Sequence, residues 1–83
     1  MGWRLTFFVQ KTERTADGWA VAGQDGLGPP QVGDVFVAVQ HLPGVEESLV
    51  LQVEGAHDHG LVLVGDDDVE LRPGDILIGE RGR

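Results

Sequence analysis

Two histidines, His57 and His59, are the residues of this chain best suited to metal chemistry, and a single aspartate separates them. In an extended segment alternate side chains project to the same side, so both imidazoles would face one metal ion. A third ligand would come from the acidic residues 66–68, across a hairpin. Gly55 and Gly60 flank the histidines, however, which is typical of a solvated turn between strands. We therefore expect a turn here, with a metal site as the alternative.

The acidic run that follows is similar to the start of a calcium-binding loop, because Asp66, Asp68 and Glu70 alternate. Such a loop needs glycine at its sixth position and glutamate at its twelfth, where this chain has Leu71 and Leu77. We favour the other interpretation, an acidic surface turn that discourages the valine-rich strands from aggregating.

The sequence contains few residues that could act as a catalytic nucleophile. Ser48 is the only serine, and the residues around it lack the flanking glycines of a nucleophile elbow. The chain has no cysteine, which excludes thiol nucleophiles, disulfides and zinc–thiolate sites and favours a cytoplasmic setting. We predict no catalytic residue and no cofactor, so we do not expect an enzyme.

The charge balance restricts the class of partner. Fourteen acidic and six basic side chains give a net charge of −8. Nucleic-acid affinity depends largely on Lys and Arg that neutralise phosphates, so this balance argues against a nucleic-acid binder and favours a basic protein partner. The basic side chains nevertheless fall near the two ends of the chain and would share one face if the first and last strands pair: Arg4, Lys11, Arg14, Arg72, Arg81 and Arg83. Scattered solubilising charge is the alternative.

The length of the chain predicts one domain covering residues 1–83. With 83 residues, of which 41% are hydrophobic, the chain must close a small core efficiently. We find neither a signal peptide nor an apolar run long enough to cross a membrane, so no membrane association is expected.

Six short apolar runs alternate with segments rich in glycine, proline and aspartate. They cover residues 5–9, 19–22, 35–39, 49–53, 61–64 and 76–78. All have the length of strands, and we expect at most one turn of helix, near residues 44–47. Six evenly spaced strands predict an all-β fold, a small closed six-stranded antiparallel β-barrel, because closure removes exposed edges.

Glycines mark the expected turns. One set recurs at every fifth position and a second set frames the C-terminal part; together they are Gly18, Gly23, Gly28, Gly33, Gly60, Gly65 and Gly74. Glycine supplies positive φ and permits close backbone approach, so we predict structural turns at these positions. Each set ends in Gly-Asp before an apolar run, and Pro73-Gly74 predicts a type II turn. We interpret the two Gly-Asp segments as one recurring loop-to-strand device rather than as an internal repeat.

This spacing resembles that of the second domain of translational GTPases such as elongation factor Tu, which is a β-barrel. The first set of glycines with Asp34 follows the family's opening intervals, and the second set follows its closing segment. The match covers residues 18–37 and 60–79, about half of the chain. The resemblance implies a stand-alone copy of a barrel that, in the family, packs on the nucleotide domain and helps to hold aminoacyl-tRNA.

The chain also departs from that family. Gln24 stands where the family usually has a basic residue, Asp25 replaces an apolar position, and residues 40–59 form a shorter middle segment. A G-x-x-x-x-G-K-[ST] phosphate-binding loop is absent from the sequence. Because of these departures and the acidic net charge, we do not carry the tRNA role over.

The aromatic residues divide between core and surface. Trp19 and Phe36 lie on predicted strands and are expected to fill the barrel. Phe7 and Phe8 are adjacent on the first strand and cannot both point inward. We predict that Trp3 and Phe8 form an exposed aromatic patch that binds a protein partner. In the alternative, the start of the chain folds over this patch.

Three functions remain, in order of preference. The first is a non-catalytic protein-binding module with a basic partner. The second is an RNA-associated accessory factor in translation, which would use the grouped basic residues. The third is a small metal-dependent enzyme built on His57 and His59. The oligomeric state stays open, with a homodimer through the first strand as one alternative.

Overall fold

Six antiparallel strands form a closed barrel. The computed structural model describes residues 3–26, 29–42, 44–57, 59–65 and 68–81. The strands are β1 (Trp3–Arg14), β2 (Gly18–Asp25), β3 (Val35–His41), β4 (Val45–His57), β5 (Gly60–Gly65) and β6 (Ile76–Arg81). Their order around the barrel is β1-β2-β5-β4-β3-β6, with β6 pairing back onto β1. The predicted closed six-stranded antiparallel barrel is therefore confirmed, and within the described residues no helix is long and apolar enough to cross a membrane.

The interior is filled by alternate residues of every strand, because successive side chains of a strand point to opposite faces. The fully buried large side chains are Leu5, Phe7, Phe36, Val39, Leu51, Val53, Leu63, Leu71 and Leu77. Each contributes about 1.5–3 kcal/mol relative to an exposed position. Trp19 and Phe36 both belong to this core, as predicted from the sequence.

The barrel consists of two similar halves, β1-β2-β3 and β4-β5-β6. Each half is a hairpin, then a turn, then a third strand that pairs with the other half. Strands β2 and β5 pair with each other, as do β3 and β6, so a pseudo-two-fold axis relates the halves. The two Gly-Asp segments occupy equivalent places in the two halves, each directly before the third strand, which agrees with our interpretation of them as one recurring connection from loop to strand.

Each half contains the same tight turn before its last strand, at residues 31–34 and 72–75. In both turns the N–H of the fourth residue donates to the carbonyl of the first, at 3.0 and 3.1 Å. The third residue is glycine in each case, and Gly33 and Gly74 have φ values of 99° and 97°. A hydrogen bond across four residues with positive φ at the third is typical of a type II turn. The turn predicted at Pro73-Gly74 is thus present, and its counterpart has the same form.

The aspartates that end these two turns are buried. The side chain of Asp34 accepts a hydrogen bond from the N–H of Gln31 at 2.9 Å, and that of Asp75 accepts one from the N–H of Arg72 at 2.7 Å. A buried carboxylate is costly unless its oxygens are paired. These local donors explain why Gly-Asp occurs twice before a core strand.

The turns also connect the two halves. The turn at 72–75 bonds to Val9 of β1, whose N–H donates to the carbonyl of the turn's aspartate at 2.9 Å and whose carbonyl accepts from the turn's glycine at 2.8 Å. The turn at 31–34 makes the same two bonds with Val53 of β4, at 2.8 and 2.9 Å. Both strands bulge directly after this valine. Each half is therefore held by the turn of the other.

Four of the glycines that we predicted as turns are strand residues, namely Gly18, Gly23, Gly60 and Gly65. Gly18 and Gly60 are the first residues of β2 and β5, and Gly23 lies inside β2. A side chain at Gly23 would collide with the backbone carbonyl of Phe8, and one at Gly18 with that of Leu63. These two positions require glycine because neighbouring strands approach closely there, and not because the chain reverses.

Gly65 and Gly28 complete the pattern. Gly65 ends β5 with a φ of 141°, and its N–H donates to the carbonyl of Asp17 at 3.3 Å. Gly28 lies outside the described residues.

Residues 44–47, where the sequence allowed at most one turn of helix, form no helix and lead into β4. Gly44, with a φ of 140°, closes the β3–β4 hairpin, and its N–H donates to the carbonyl of His41 at 2.6 Å. The chain then returns directly along β3, where Val45 pairs with His41 and Glu47 with Val39. The glycine reverses the chain too tightly for a helical turn to start.

Candidate functional site

The two histidines chosen from the sequence do not lie on one extended segment. His57 is the last residue of β4, whereas His59 lies in the following hairpin turn with a φ of 66°. The turn between strands that we favoured from the sequence is therefore present, and the extended geometry assumed for the alternative metal site is not. Both side chains are exposed, and the described residues contain no group of three potential metal ligands. Asp66 and Asp67 lie outside those residues.

Phe8 is the exposed member of the Phe7–Phe8 pair. Phe7 is buried in the core, whereas Phe8 lies on the outside of β1, so the predicted division is confirmed. Trp3 begins β1, but its side chain lies outside the described part of the structure. Its place in an aromatic patch with Phe8 stays a prediction.

Phe8 belongs to a larger apolar surface, which we call the β6 face. It is the outer side of β1, β6, β3 and β4, and its apolar members are Phe8, Val37, Val50, Ile76 and Ile78. Phe8 and Val37 are each 42% exposed and Val50 is 56% exposed, while the two isoleucines are half-buried. The face is continuous across strands, since Phe8 pairs with Ile76 and Ile78 pairs with Ala38 beside Val37.

A bulge in β3 contributes to this surface. The register of β3 shifts between Phe36 and Ala38 against both of its neighbours. Phe36 points into the core, while Ala38 pairs with the outward residue Ile78, so Val37 and Ala38 lie on the same outer side. Without the bulge strict alternation would place only one of them there.

Polar and acidic side chains border the β6 face. On β4, Glu46 pairs with Gln40 and Ser48 pairs with Ala38. On β6, Glu80 pairs with Arg4 on one side and with Val35 on the other. Glu46 and Glu80 are both exposed. An apolar centre with carboxylates at its edges is therefore present on one side of the barrel.

His41 is a second feature, which our reading of the sequence missed. It ends β3 and is only 5% exposed. Its Nε2 lies 2.7 Å from Oε1 of Glu47, and its Nδ1 lies 2.9 Å from Oδ1 of Asp75. The Nδ1 contact is an ion pair whose direction does not meet hydrogen-bond geometry. We call these three residues the His41 cluster.

The His41 cluster favours the protonated imidazole. The close approach of Asp75 raises the pKa of His41, burial opposes this effect, and Glu47 adds to the rise, so the pKa lies above its usual value of 6.5. Only the imidazolium carries a proton on each ring nitrogen, which is what two facing carboxylates require. The signal in the sequence was a histidine ending the apolar run of β3, but its partner Asp75 is distant along the chain.

A shallow groove of about 300 Å³ runs along the β1–β2 hairpin. Its lining residues are Lys11, Thr12, Glu13, Ala20, Val21 and Ala22. The two charged side chains have opposite sign, and the strand residues between them are small or apolar. The groove therefore presents no arrangement suited to catalysis.

Comparisons of the chain with protein-family models, with curated proteins and with solved structures found no match. The barrel itself is shown by the strand pairing. Its resemblance to the second domain of translational GTPases rests on glycine spacing and stays a prediction.

Proposed function

We propose that this protein is a non-catalytic protein-binding module whose β6 face docks on a basic partner. The observation that carries the proposal is a set of outward-facing apolar side chains on four adjacent strands, of which Phe8, Val37 and Val50 are exposed and Ile76 and Ile78 are half-buried. Single exposed apolar residues are ordinary on a protein surface, whereas contiguous ones bordered by polar residues are typical of interfaces.

The closed barrel restricts the mode of binding. Each of the six strands pairs with two neighbours, so a partner peptide cannot add a strand to a free sheet edge. The contact must then use side chains. Phe8 is the natural anchor, because aromatic residues dominate the energetics of interfaces.

Charge supports a basic partner. The chain carries a net charge of −8, and the exposed Glu46 and Glu80 border the β6 face. Carboxylates at the edge of an interface attract Lys and Arg and accelerate association. The same net charge disfavours a second copy of this chain as the occupant, since two acidic faces would repel.

The geometry of the histidines favours binding over catalysis. Both ring nitrogens of His41 face carboxylates within the protein, so neither is presented to a substrate. His57 and His59 are separated by a chain reversal. These arrangements support the module over a metal-dependent enzyme.

One of the basic side chains, Arg14, packs on an aromatic ring of the barrel itself. The guanidinium of Arg14 lies 4.7 Å from the centre of the Trp19 ring, where it covers a core residue at the end of the barrel. An RNA-associated role is kept as an outcome of the following test.

The proposal is tested by affinity capture with tagged protein, using extract from the source cells with and without nuclease. We expect one basic protein in near-stoichiometric amount, lost for Phe8→Glu and Val37→Glu and weakened by salt. Val32→Glu is the matched control, because Val32 is 65% exposed but lies in the turn at 31–34, outside the β6 face. Thermal unfolding would check that all variants fold.

Direct binding of the purified partner then tests the proposed interface. Purified partner must bind the wild type directly, with at least a tenfold loss of affinity for Phe8→Glu. Equal affinity of wild type and both face variants would overturn the proposal. Capture that disappears on nuclease treatment would replace it with the RNA-associated function.

A further inference from the structure

We infer that the His41 cluster is a pH-sensitive connection that holds the turn before β6 against the β3–β4 hairpin. It joins two segments that are distant in the sequence: the β3–β4 hairpin, which contains His41 and Glu47, and the turn at 72–75. This inference goes beyond the proposed binding function and does not depend on it.

Asp75 is buried and hydrogen-bonded within its own turn. Its side chain is 3% exposed, and Oδ2 is already occupied by the N–H of Arg72. Oδ1 lies 2.9 Å from Nδ1 of His41 as an ion-pair contact. Asp75 is therefore fixed by its own turn, so its contact with His41 ties that turn to β3.

Two carboxylates contact the ring of His41. Glu47 contacts the ring from β4 and Asp75 contacts it from the turn before β6, and these are the charged groups facing it in the described part of the chain. Protonated His41 gives the cluster a charge of about −1, and neutral His41 leaves two carboxylates without a cation beside a buried ring. Loss of the proton therefore removes the attraction of the ring for both carboxylates and leaves the repulsion between Glu47 and Asp75.

The sign of the pH dependence follows from linkage. The pKa of His41 is raised in the folded protein, so the folded state binds its proton more tightly than the unfolded state does. The stabilisation is complete below about pH 6.5, the ordinary histidine value, and is lost as the pH rises through the folded-state pKa. The contribution of His41 to the connection is thus largest at mildly acidic pH.

The consequence for structure concerns β6. Ile76 directly follows Asp75 and pairs with Gln40, the neighbour of His41. When the connection weakens, the start of β6 loses one of its attachments to β3. We expect opening to be local and to begin at Ile76.

The test combines two measurements on the intact protein between pH 5.5 and 8.5. NMR titration of the imidazoles should place the His41 midpoint above 6.5, and the urea midpoint of unfolding should fall with rising pH across that range. Amide exchange at Ile76, corrected for the intrinsic pH dependence of exchange, should accelerate in parallel. His41→Gln should remove the fall in the urea midpoint, whereas His57→Gln and His59→Gln, the same change at exposed sites, should retain it.

Glu47→Gln provides a variant that keeps the histidine and alters only one partner, whose side chain is 50% exposed. It should fold and move the His41 midpoint downward, which a purely steric role would not do. A His41 midpoint at or below 6.5 in the wild type would overturn the inference, as would one unchanged by Glu47→Gln. If His41→Gln does not fold, the Glu47→Gln titration decides alone.

Discussion

Gly23 and Gly33 both require glycine, but for different physical reasons. Gly33 has a φ of 99° with no atom within 4 Å of where a Cβ would lie, so substitution there meets only backbone strain. Gly23 does not have a positive φ, but a Cβ atom at this position would overlap the backbone carbonyl of Phe8. One substitution distorts a turn locally, and the other forces two paired strands apart.

This difference predicts an order of stability. Gly33→Ala should lower the free energy of unfolding by about 1–2 kcal/mol, the usual cost of a left-handed residue. Gly23→Ala should cost about 3 kcal/mol, since the neighbouring backbone must move. Urea denaturation measures both.

Gly55→Ala is the control for these two variants, because a Cβ at Gly55 meets its nearest atom at an ordinary 3.4 Å. We expect its stability to stay within about 0.5 kcal/mol of wild type. A cost at Gly33 equal to or above that at Gly23 would contradict the assigned causes.

At the scale of elements, the turns at 31–34 and 72–75 are two versions of one structure. Their cross-turn hydrogen bonds, glycine conformations and aspartate contacts agree closely. They differ at the second position, which is Val32 in one and Pro73 in the other. Proline pre-sets the backbone that a type II turn needs there.

Transferring the proline should therefore stabilise the protein. Val32→Pro is expected to raise the free energy of unfolding by about 0.4–1 kcal/mol, because it restricts the unfolded chain. Val32→Ala controls for loss of the exposed side chain. Thermal unfolding of the three proteins is the measurement, and a lower melting temperature for Val32→Pro than for Val32→Ala would show that the two turns are not equivalent.

At the scale of the whole molecule, the chain passes from one half to the other once, through the β3–β4 hairpin. The pairing of β1 with β6 begins at Trp3 opposite Arg81. The first residue of β1 and the last residue of β6 are therefore adjacent. The pseudo-two-fold axis makes the order β4-β5-β6-β1-β2-β3 topologically equivalent to the native order.

A circular permutant should consequently form the same barrel. We would link the two ends of the chain with a short flexible linker and open the hairpin after Leu42. The expected result is cooperative unfolding and an NMR fingerprint that retains the wild-type strand pairs, because every pairing is preserved. A permutant with the same linker but opened inside β5, after Leu63, is the control and should not fold, since Leu63 is fully buried. Failure of the first permutant would show that the halves are not interchangeable.

Much of the architecture follows from local patterns in the chain. Short apolar runs such as residues 35–39 and 49–53, bounded by turn residues, predict strands, and closure into a barrel was expected because it removes exposed edges. The lengths of β1 and β4 were underestimated, because their polar ends, such as Lys11 and Glu46, carry no apolar signal. Those ends become strand only through pairing with β2 and β3.

The β6 face was only partly predictable. Phe8 was identified because adjacent phenylalanines cannot share one side of a strand. Val37 and Val50 gave no separate signal, since a valine in an apolar run has the same appearance whether it points inward or outward. Their exposure depends on the strand register and on the bulge in β3.

The sequence by itself determined the six strands, the tight turns at Gly33 and Gly74, and the acidic character of the surface. These depend on residue type and on contacts within a few positions of the chain. Only the tertiary structure decided the strand order, the close approach at Gly23 and the meeting of His41 with Asp75. Such features require segments far apart in the chain to come together, and the pairing that brings them together is set by the packing of the whole barrel.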